Sequence, residues 1–294
     1  MIQNTVPETL LEFINYSTDL LKKNNIEDAR LNTEIMMCDV LRCDRMSLYL
    51  NFERPLTKDE IKIAEDFLNR RIMHEPLQYI LGKSSFYGLE FIVNKNVLIP
   101  RPETELLVEK ILTDIKDSGQ NKVSIFEIGS GTGCISIAIA KELEKKNIIY
   151  EIFSIDNSKN AIEVAEQNRK LNNIDHKFLR FYYKDVFEIG KLNKQFDYIV
   201  SNPPYISFDE YSGLQPEVRD NEPDIALTDF DDGLKFFKRI FLIASDDKFT
   251  GSLYCEIGYG QKGSIENLLR KYNFTHYSFL KDYGNIDRIL VVRK

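Results

Sequence analysis

The chain has 294 residues, of which 43% are hydrophobic and 12% aromatic, a composition typical of a globular protein with one large domain or two ordinary ones. Its 39 basic and 46 acidic side chains give a net charge of −7, which argues mildly against a non-specific grip on nucleic acid. The sequence shows no stretch as long and apolar as a membrane span, and its first residues lack the basic start and apolar run of a signal peptide.

The four cysteines give no metal signature. Cys38, Cys43, Cys134 and Cys255 form no Cys-x-x-Cys pair, and no histidine stands at zinc-finger spacing from them. We therefore expect reduced, packed thiols, a cytoplasmic protein and no metal site.

Residues 7 to about 73 are predicted to form a small helical bundle. Pro7 suits a first helical turn, and a second helix is expected to begin near Asp28. Thr57 and Glu60 form a capping box that opens a further helix. His74 near the end of this helix is interpreted as a capping or surface residue. The predicted inward-facing residues recur at helical spacing and are Leu10, Leu11, Ile14, Leu20 and Leu21, then Leu31, Ile35, Met36 and Val40, then Ile61, Ala64, Phe67, Leu68 and Ile72.

A β-hairpin is predicted next, with strands at residues 86–93 and 97–99 around a polar break at residues 94–96. Arg101 follows between two prolines, and Glu103 and Glu105 then open a helix. Spacing alone favours a solvated charge for Arg101.

From residue 123 onward, strands and helices alternate. Strands are predicted at residues 123–128, 148–155, 178–182, 196–200 and 252–257, and helices at 134–143, 161–171, 234–244 and 265–269. Two final strands, at 275–280 and 288–292, are predicted to form a closing hairpin. This alternation indicates an α/β fold with a doubly wound, mostly parallel sheet and an antiparallel C-terminal edge. The predicted domains are a helical one at 1–80, a hairpin linker at 81–100 and an α/β domain at 101–294.

A glycine-rich turn, Glu127-Ile-Gly-Ser-Gly-Thr-Gly133, lies between the first strand and its helix. Glycines there allow the backbone to approach a ligand closely, with helix N–H groups directed at it. Asp156 ends the next strand, 23 residues beyond Gly133, and could accept the hydroxyls of a ribose.

Two further groups should border the same crevice, beyond the carboxyl ends of the strands. After the third strand, Asp185 could accept from an adenine amino group, and Val186 and Phe187 could flank the ring. After the fourth, Asn202-Pro-Pro-Tyr205 forms a rigid extended segment, since both prolines lack an N–H and restrict the preceding residue. The Asn202 amide complements a planar –NH2 group, and Tyr205 offers a flat face for packing.

These motifs give the chain a resemblance to class I S-adenosylmethionine-dependent methyltransferases and, more closely, to the release factor glutamine methyltransferase (PrmC/HemK) family. The resemblance covers nearly the whole chain. Besides the glycine turn and Asn202-Pro-Pro-Tyr205, the segments that carry it are Pro76-Leu-Gln-Tyr-Ile-Leu-Gly82, Phe86-Tyr-Gly88, Leu98-Ile-Pro-Arg-Pro-Glu-Thr-Glu105 and Gln215-Pro-Glu-Val-Arg219. One departure is visible, because Asp220 and Asn221 stand before Glu222-Pro223 where the family commonly has one aromatic or apolar residue.

The resemblance implies methylation of the side-chain amide nitrogen (N5) of the glutamine in the Gly-Gly-Gln motif of class I peptide chain release factors, with S-adenosyl-L-methionine as methyl donor. It also implies that the N-terminal helical domain helps to hold the release factor. The expected donor-binding residues are Gly129, Ser130, Gly131, Thr132, Gly133, Asp156, Asp185, Val186 and Asn202. The expected substrate-binding residues are Asn202, Pro203, Pro204 and Tyr205, with Asn202, Pro203 and Tyr205 in the catalytic role.

Two alternatives stay open. An enzyme that methylates the exocyclic amino groups of nucleic acid bases could use the same tetrapeptide after flipping a base, although such an enzyme normally carries a basic surface. A non-catalytic protein could use the crevice only to bind S-adenosylmethionine. On the favoured interpretation, neither a membrane nor direct nucleic acid binding is expected.

Overall fold

The computed structural model of the protein describes residues 8–192 and 194–294. Pro7, predicted to start the first helix, lies outside this part. The helices, in chain order, are α1 (Leu10–Lys23), α2 (Ala29–Leu41), α3 (Arg45–Leu50), α4 (Lys58–Ile72), α5 (Leu77–Leu81), α6 (Glu105–Ser118), α7 (Cys134–Lys145), α8 (Lys159–Leu171), α9 (Phe208–Tyr211), α10 (Pro216–Arg219), α11 (Asp224–Leu227), α12 (Lys235–Ala244) and α13 (Lys262–Lys271).

The strands form a hairpin and one large sheet. They are β1 (Lys83–Phe86), β2 (Leu89–Ile92), β3 (Lys122–Ile128), β4 (Ile149–Asp156), β5 (Leu179–Tyr183), β6 (Tyr198–Ser201), β7 (Ser252–Glu256), β8 (Tyr277–Lys281) and β9 (Asp287–Arg293). The contacts of the chain divide it into two compact units, one running up to Gly82 and including Pro216–Asn221, the other comprising Lys83–Gln215 and Glu222–Lys294.

In the first unit, α4 begins at its predicted cap. Glu60 N donates to Thr57 Oγ1 over 3.3 Å, and Thr57 N donates to Glu60 Oε2 over 2.9 Å, so the capping box is confirmed. Leu31 was expected inside but is 38% exposed, whereas Met37 is fully buried. The buried face of α2 starts at Ala29, and a residue two positions further lies on the opposite side of a helix. His74 lies two residues beyond the end of α4, is half-buried and has a φ of +62°.

Arg71 connects residues 216–221 to the rest of this unit. Its buried guanidinium donates to Asn32 Oδ1 over 2.8 Å and to the Glu75 carbonyl over 3.0 Å. It also forms a 2.7 Å ion pair with Glu217 on α10. Residues 216–221 are therefore an integral part of the helical unit, although 133 residues separate Gly82 from Pro216 in the chain.

The second unit is built on a sheet with strand order β5-β4-β3-β6-β7-β9-β8. Strands β3 to β7 are parallel, and β9 pairs antiparallel with both β7 and β8. The predicted doubly wound sheet with an antiparallel C-terminal edge is thus confirmed. Apolar clusters cover both faces of the sheet, which explains why its parallel strands carry apolar residues at successive positions, such as Ile125-Phe126 and Ile199-Val200.

The hairpin before the sheet does not have the predicted position. β1 and β2 turn at Tyr87 and Gly88, which have φ values of +52° and +72°, and not at residues 94–96. Two successive left-handed residues suit the tight two-residue turn that matches the twist of a hairpin. Residues 97–99, predicted as a strand, instead form an irregular segment that leads to Pro100.

The parallel register brings several chain positions to one edge of the sheet. Ile128 at the end of β3 is opposite Ile155 of β4 on one side and Ser201 of β6 on the other. The chain proceeds from β3 to β4 in one direction and later returns to β6 in the other. A crevice at such a switch point, beyond the carboxyl ends of the strands, is where open α/β sheets bind ligands.

Candidate functional site

A cleft of about 980 Å³, counting the open space at its mouth, lies at this edge of the second unit. Residues that follow β3, β4, β5 and β6 form its floor and sides. The irregular segment after the hairpin and residues of α11 complete its wall. The cleft therefore collects the loops in which the predicted site residues stand.

The glycine-rich turn contributes residues 129–132 to the cleft. Gly129 N donates to the Ile155 carbonyl over 2.9 Å, which fixes the turn against β4. Gly131 has a φ of +50°, and a Cβ added there would meet no atom within 4 Å. The space above this backbone, at the N-terminus of α7, is thus open to a ligand.

Gly133, which is also predicted to bind the donor, is not among the residues that line the cleft. Its φ is +79°, and a Cβ there would lie 2.8 Å from the ring of Phe181 and 3.3 Å from Ala165. Glycine is required at this position by packing between α7, α8 and β5.

Asp156 lines the cleft and also stabilises the glycine turn. Its Oδ2 accepts from Gly131 N over 2.9 Å, and its Oδ1 accepts from Ser158 N over 2.9 Å. Burial raises the pKa of this carboxyl group. Ser130 Oγ also donates to Oδ2, over 3.5 Å. Because a carboxylate can accept about four hydrogen bonds, these three leave capacity for a ligand hydroxyl.

The loop after β5 brings Asp185 and Val186 to the cleft, as expected. Asp185 Oδ1 accepts from Phe187 N over 2.8 Å and so caps a short 3-10 turn. Phe187, predicted to flank an adenine ring, is 39% exposed and does not line the cleft. Its ring packs edge-on against Phe236 at 5.3 Å between centroids, and Phe236 lines the cleft instead.

Asn202, Pro203 and Pro204 border the same cleft as the glycine turn. A Cβ added to Gly129 would lie 3.9 Å from the carbonyl oxygen of Asn202, so the two segments are neighbours. Asn202 Nδ2 donates to Thr104 Oγ1 over 3.1 Å. The Asn202 backbone therefore lies next to the glycine turn, and its side-chain carboxamide is bonded to Thr104.

Tyr205 lies beside this cleft and is not among its lining residues. Its hydroxyl donates to Glu256 Oε1 over 3.2 Å, and its carbonyl accepts from Gln261 Nε2 over 2.8 Å. Burial and the adjacent Glu256 carboxylate raise the pKa of Tyr205. A Cβ at Gly258 would come within 2.9 Å of the tyrosine ring, so this ring is closely packed on one side.

Thr104 and Glu256 are functional candidates that the sequence analysis did not identify. Both are buried, and Thr104 Oγ1 donates to Glu256 Oε2 over 2.6 Å. Desolvation by burial raises the pKa of Glu256. Glu256 ends β7 at the ligand-binding edge of the sheet. This position in the sequence could have identified it as a candidate site residue.

The interpretation of Arg101 as a solvated charge is wrong. Its guanidinium forms a 2.5 Å ion pair with Glu222, whose side chain is 1% exposed. Glu222 Oε2 also accepts from Ile99 N over 3.2 Å. Glu222 thereby joins the segment leading into α11 to the segment around Arg101 within the second unit, and Arg101 itself lines the cleft.

Within residues 8–192 and 194–294, no group of three or more histidine, cysteine, aspartate or glutamate side chains could hold a metal ion. Cys134 and Cys255 are buried free thiols, and Cys38 and Cys43 are free and half-buried. Among the helices of the described ranges, none combines the length and apolar character needed to cross a membrane.

Comparison with known proteins identifies relatives of both units. Residues 12–82 match the PrmC N-terminal domain, and residues 102–213 match the methyltransferase small domain. A release factor glutamine methyltransferase from Fusobacterium nucleatum is 42% identical over 98% of this chain and 79% of its own length. One from Thermodesulfovibrio yellowstonii is 38% identical over 92% of this chain and 93% of its own.

A solved structure shares the fold. The T. thermophilus 16S rRNA N2 G1207 methyltransferase, in complex with AdoMet and guanosine, aligns with 72% of this chain and 49% of its own, with a TM-score of 0.50 and 16% identity. Together with the sequence relatives, the fold and the cleft lead to one assignment. The chain belongs to the release factor glutamine methyltransferase family, a family of S-adenosylmethionine-dependent methyltransferases.

Proposed function

We propose that this protein transfers the methyl group of S-adenosylmethionine to the side-chain amide nitrogen, N5, of the glutamine in the Gly-Gly-Gln motif of class I peptide chain release factors. One observation about the site itself supports this proposal, in addition to the membership of the family. The Asn202 carboxamide and the open glycine turn border a single cleft, with the Asn202 backbone 3.9 Å from the position of a Cβ on Gly129. A planar amide held at Asn202 would thus be next to a donor seated on the turn.

The proposed donor site consists of residues already in the cleft. The turn at residues 129–132 offers open backbone at a helix N-terminus, and Asp156 retains acceptor capacity for a ribose hydroxyl. Asp185 and Val186 would contact the adenine, with Phe236 in the flanking position that Phe187 does not occupy. When bound, S-adenosylmethionine supplies an electrophilic methyl group on sulfur.

The acceptor requires positioning because an amide nitrogen is a poor nucleophile, its lone pair being delocalised into the carbonyl group. Asn202 Oδ1 and the Pro203 carbonyl would accept hydrogen bonds from the substrate –NH2 and draw the lone pair out of the amide plane. No base is needed before attack, since the amide nitrogen is positively charged once it has accepted the methyl group, is then strongly acidic and loses a proton readily. Orientation and fixed dipoles would supply the rate enhancement.

Tyr205 would pack on the glutamine amide from beside the cleft. The helical unit would help to hold the release factor, with domain boundaries near residues 80 and 100 as the sequence predicts. A release factor substrate and four free thiols favour a cytoplasmic location.

Mass spectrometry of a release factor provides the test. The protein is incubated with S-adenosylmethionine and a class I release factor, and tryptic peptides are fragmented to locate any added methyl group. We expect a single methyl group on the Gly-Gly-Gln glutamine. Parallel incubations with tRNA, rRNA and DNA cover the alternative acceptor, and methylation of a base amino group without modification of the glutamine would overturn the proposal.

A further inference from the structure

Four polar side chains form a continuous hydrogen-bonded series behind the cleft. Asn202 Nδ2 donates to Thr104 Oγ1 over 3.1 Å, and Thr104 Oγ1 donates to Glu256 Oε2 over 2.6 Å. Tyr205 donates to the other carboxylate oxygen, Glu256 Oε1, over 3.2 Å. Glu256 is 1% exposed and Thr104 is 2% exposed, so water has little access to the middle of this series.

The chemistry of these groups determines the direction of each bond. In its ionised form Glu256 only accepts hydrogen bonds, so the single hydroxyl protons of Thr104 and Tyr205 are both directed at its carboxylate oxygens. The Thr104 oxygen can then only accept from its other neighbour. An asparagine amide meets an acceptor with its –NH2 group, and its Oδ1 therefore points away from Thr104.

The opposite orientation of the Asn202 amide is disfavoured for the same reason. Asn202 Oδ1 would then face Thr104 Oγ1, and the Thr104 hydroxyl would have to turn away from Glu256 in order to donate to Oδ1. Glu256 would lose one of its two hydroxyl donors inside the protein, where an unsatisfied carboxylate oxygen is costly.

We propose that Thr104 and Glu256 are positioning residues that fix the Asn202 side chain with Oδ1 toward the cleft, as an acceptor for the substrate –NH2. This rests on the proposed function, in which Asn202 receives the glutamine amide. A flipped Asn202 would present its own –NH2 to that of the substrate, and two donors cannot pair. The series thus selects an amino-bearing acceptor and orients its nitrogen.

The test uses Thr104→Val, which keeps the shape of the side chain and removes the hydroxyl, and Thr104→Ser, which keeps the hydroxyl. Methylation of a release factor and binding of S-adenosylmethionine are measured for each full-length variant. We expect Thr104→Val to lower kcat about tenfold, equivalent to ~1.4 kcal/mol, with the donor Kd within about twofold of wild type. Thr104→Ser should retain kcat within about threefold of wild type.

A double-mutant cycle separates positioning from general stability. In an Asn202→Ala background there is no amide to orient, so Thr104→Val should change kcat by less than about twofold. Tyr254→Phe is the control for loss of a buried hydroxyl, since Tyr254 donates to Asp114 Oδ2 over 2.6 Å and does not line the cleft. Its kcat should match that of wild type.

Several results would overturn the inference. An unchanged kcat in Thr104→Val is one of them. Another is a loss of kcat on adding Thr104→Val to Asn202→Ala that equals its loss in the wild-type background. The third is a kcat of Thr104→Ser as low as that of Thr104→Val, when unfolding in urea shows that both variants are folded. The proposed function fails by a different result, the absence of glutamine methylation by the wild-type protein.

Discussion

Replacing Asp156 by alanine should weaken donor binding through two physical effects. The carboxylate accepts backbone N–H bonds of 2.9 Å from Gly131 and from Ser158, and in the proposed function it also accepts from the donor ribose. Alanine removes the ribose contact and releases the turn on which the donor would rest.

The size of the effect follows from these contacts. A hydrogen bond to a charged group contributes about 1.5–3 kcal/mol, and water recovers part of that loss in the variant. We therefore expect donor binding to weaken by about 1–3 kcal/mol, which raises Kd roughly 5- to 150-fold. Asp156→Asn keeps the shape but directs an –NH2 group or an uncharged oxygen at the turn, so it should also weaken binding.

Isothermal titration calorimetry with S-adenosylmethionine measures this Kd directly. Asp282→Ala serves as the matched control, because Asp282 Oδ1 accepts from Gly284 N over 2.9 Å and Ile286 N over 3.0 Å in a hairpin that does not line the cleft. We expect the control to bind the donor as wild type does. A Kd for Asp156→Ala within twofold of wild type would remove Asp156 from the donor site.

Three further substitutions can be predicted. Asn202→Ala should lower kcat at least tenfold and leave donor affinity nearly intact, and a comparable loss of donor affinity in a binding titration would refute the assigned role. Glu222→Ala removes the carboxylate paired with Arg101 and should lower the free energy of unfolding by about 1–3 kcal/mol; a change below about 0.5 kcal/mol in urea denaturation would show that the pair is not stabilising. Burial raises the pKa of Glu127 from 4.5 to about 7, so its contribution to stability is present below pH 4.5 and is lost as the pH rises to about 7. The free energy of unfolding of Glu127→Gln, relative to wild type, should therefore increase by about 3 kcal/mol between pH 4 and pH 8, and parallel curves for the two proteins would contradict the buried ionisation.

The strands and helices of the α/β unit could be predicted from sequence because their signals are local. The strand predicted at residues 123–128 occupies Lys122–Ile128, and the helix predicted at 134–143 occupies Cys134–Lys145. Apolar runs bounded by polar segments and by the glycine turn are sufficient for this. The order of strands along one edge then follows from the alternation of strands and helices, which is why residues 129–133, Asp156, Asp185 and residues 202–205 were expected at one crevice.

Features that depend on contacts between distant residues could not be predicted in this way. Thr104 and Glu256 are 152 positions apart, and Arg101 and Glu222 are 121 apart. Nothing in the local pattern of either partner indicates the other. The hairpin was misplaced for a different reason, since Tyr87-Gly88 and residues 94–96 are both turn signals and only the pairing of β1 with β2 distinguishes them.

The helical unit is discontinuous in sequence, and this limits how the protein can be divided. A fragment that ends at Gly82 retains the buried guanidinium of Arg71 but lacks the Glu217 carboxylate, which would remain with the other fragment. In such a fragment the buried charge of Arg71 has lost its partner, and this kind of loss is strongly destabilising. The helical unit is therefore not separable from the rest of the chain by a single cut, and a protease that cleaves at residue 82 should leave two fragments that still associate through residues 216–221.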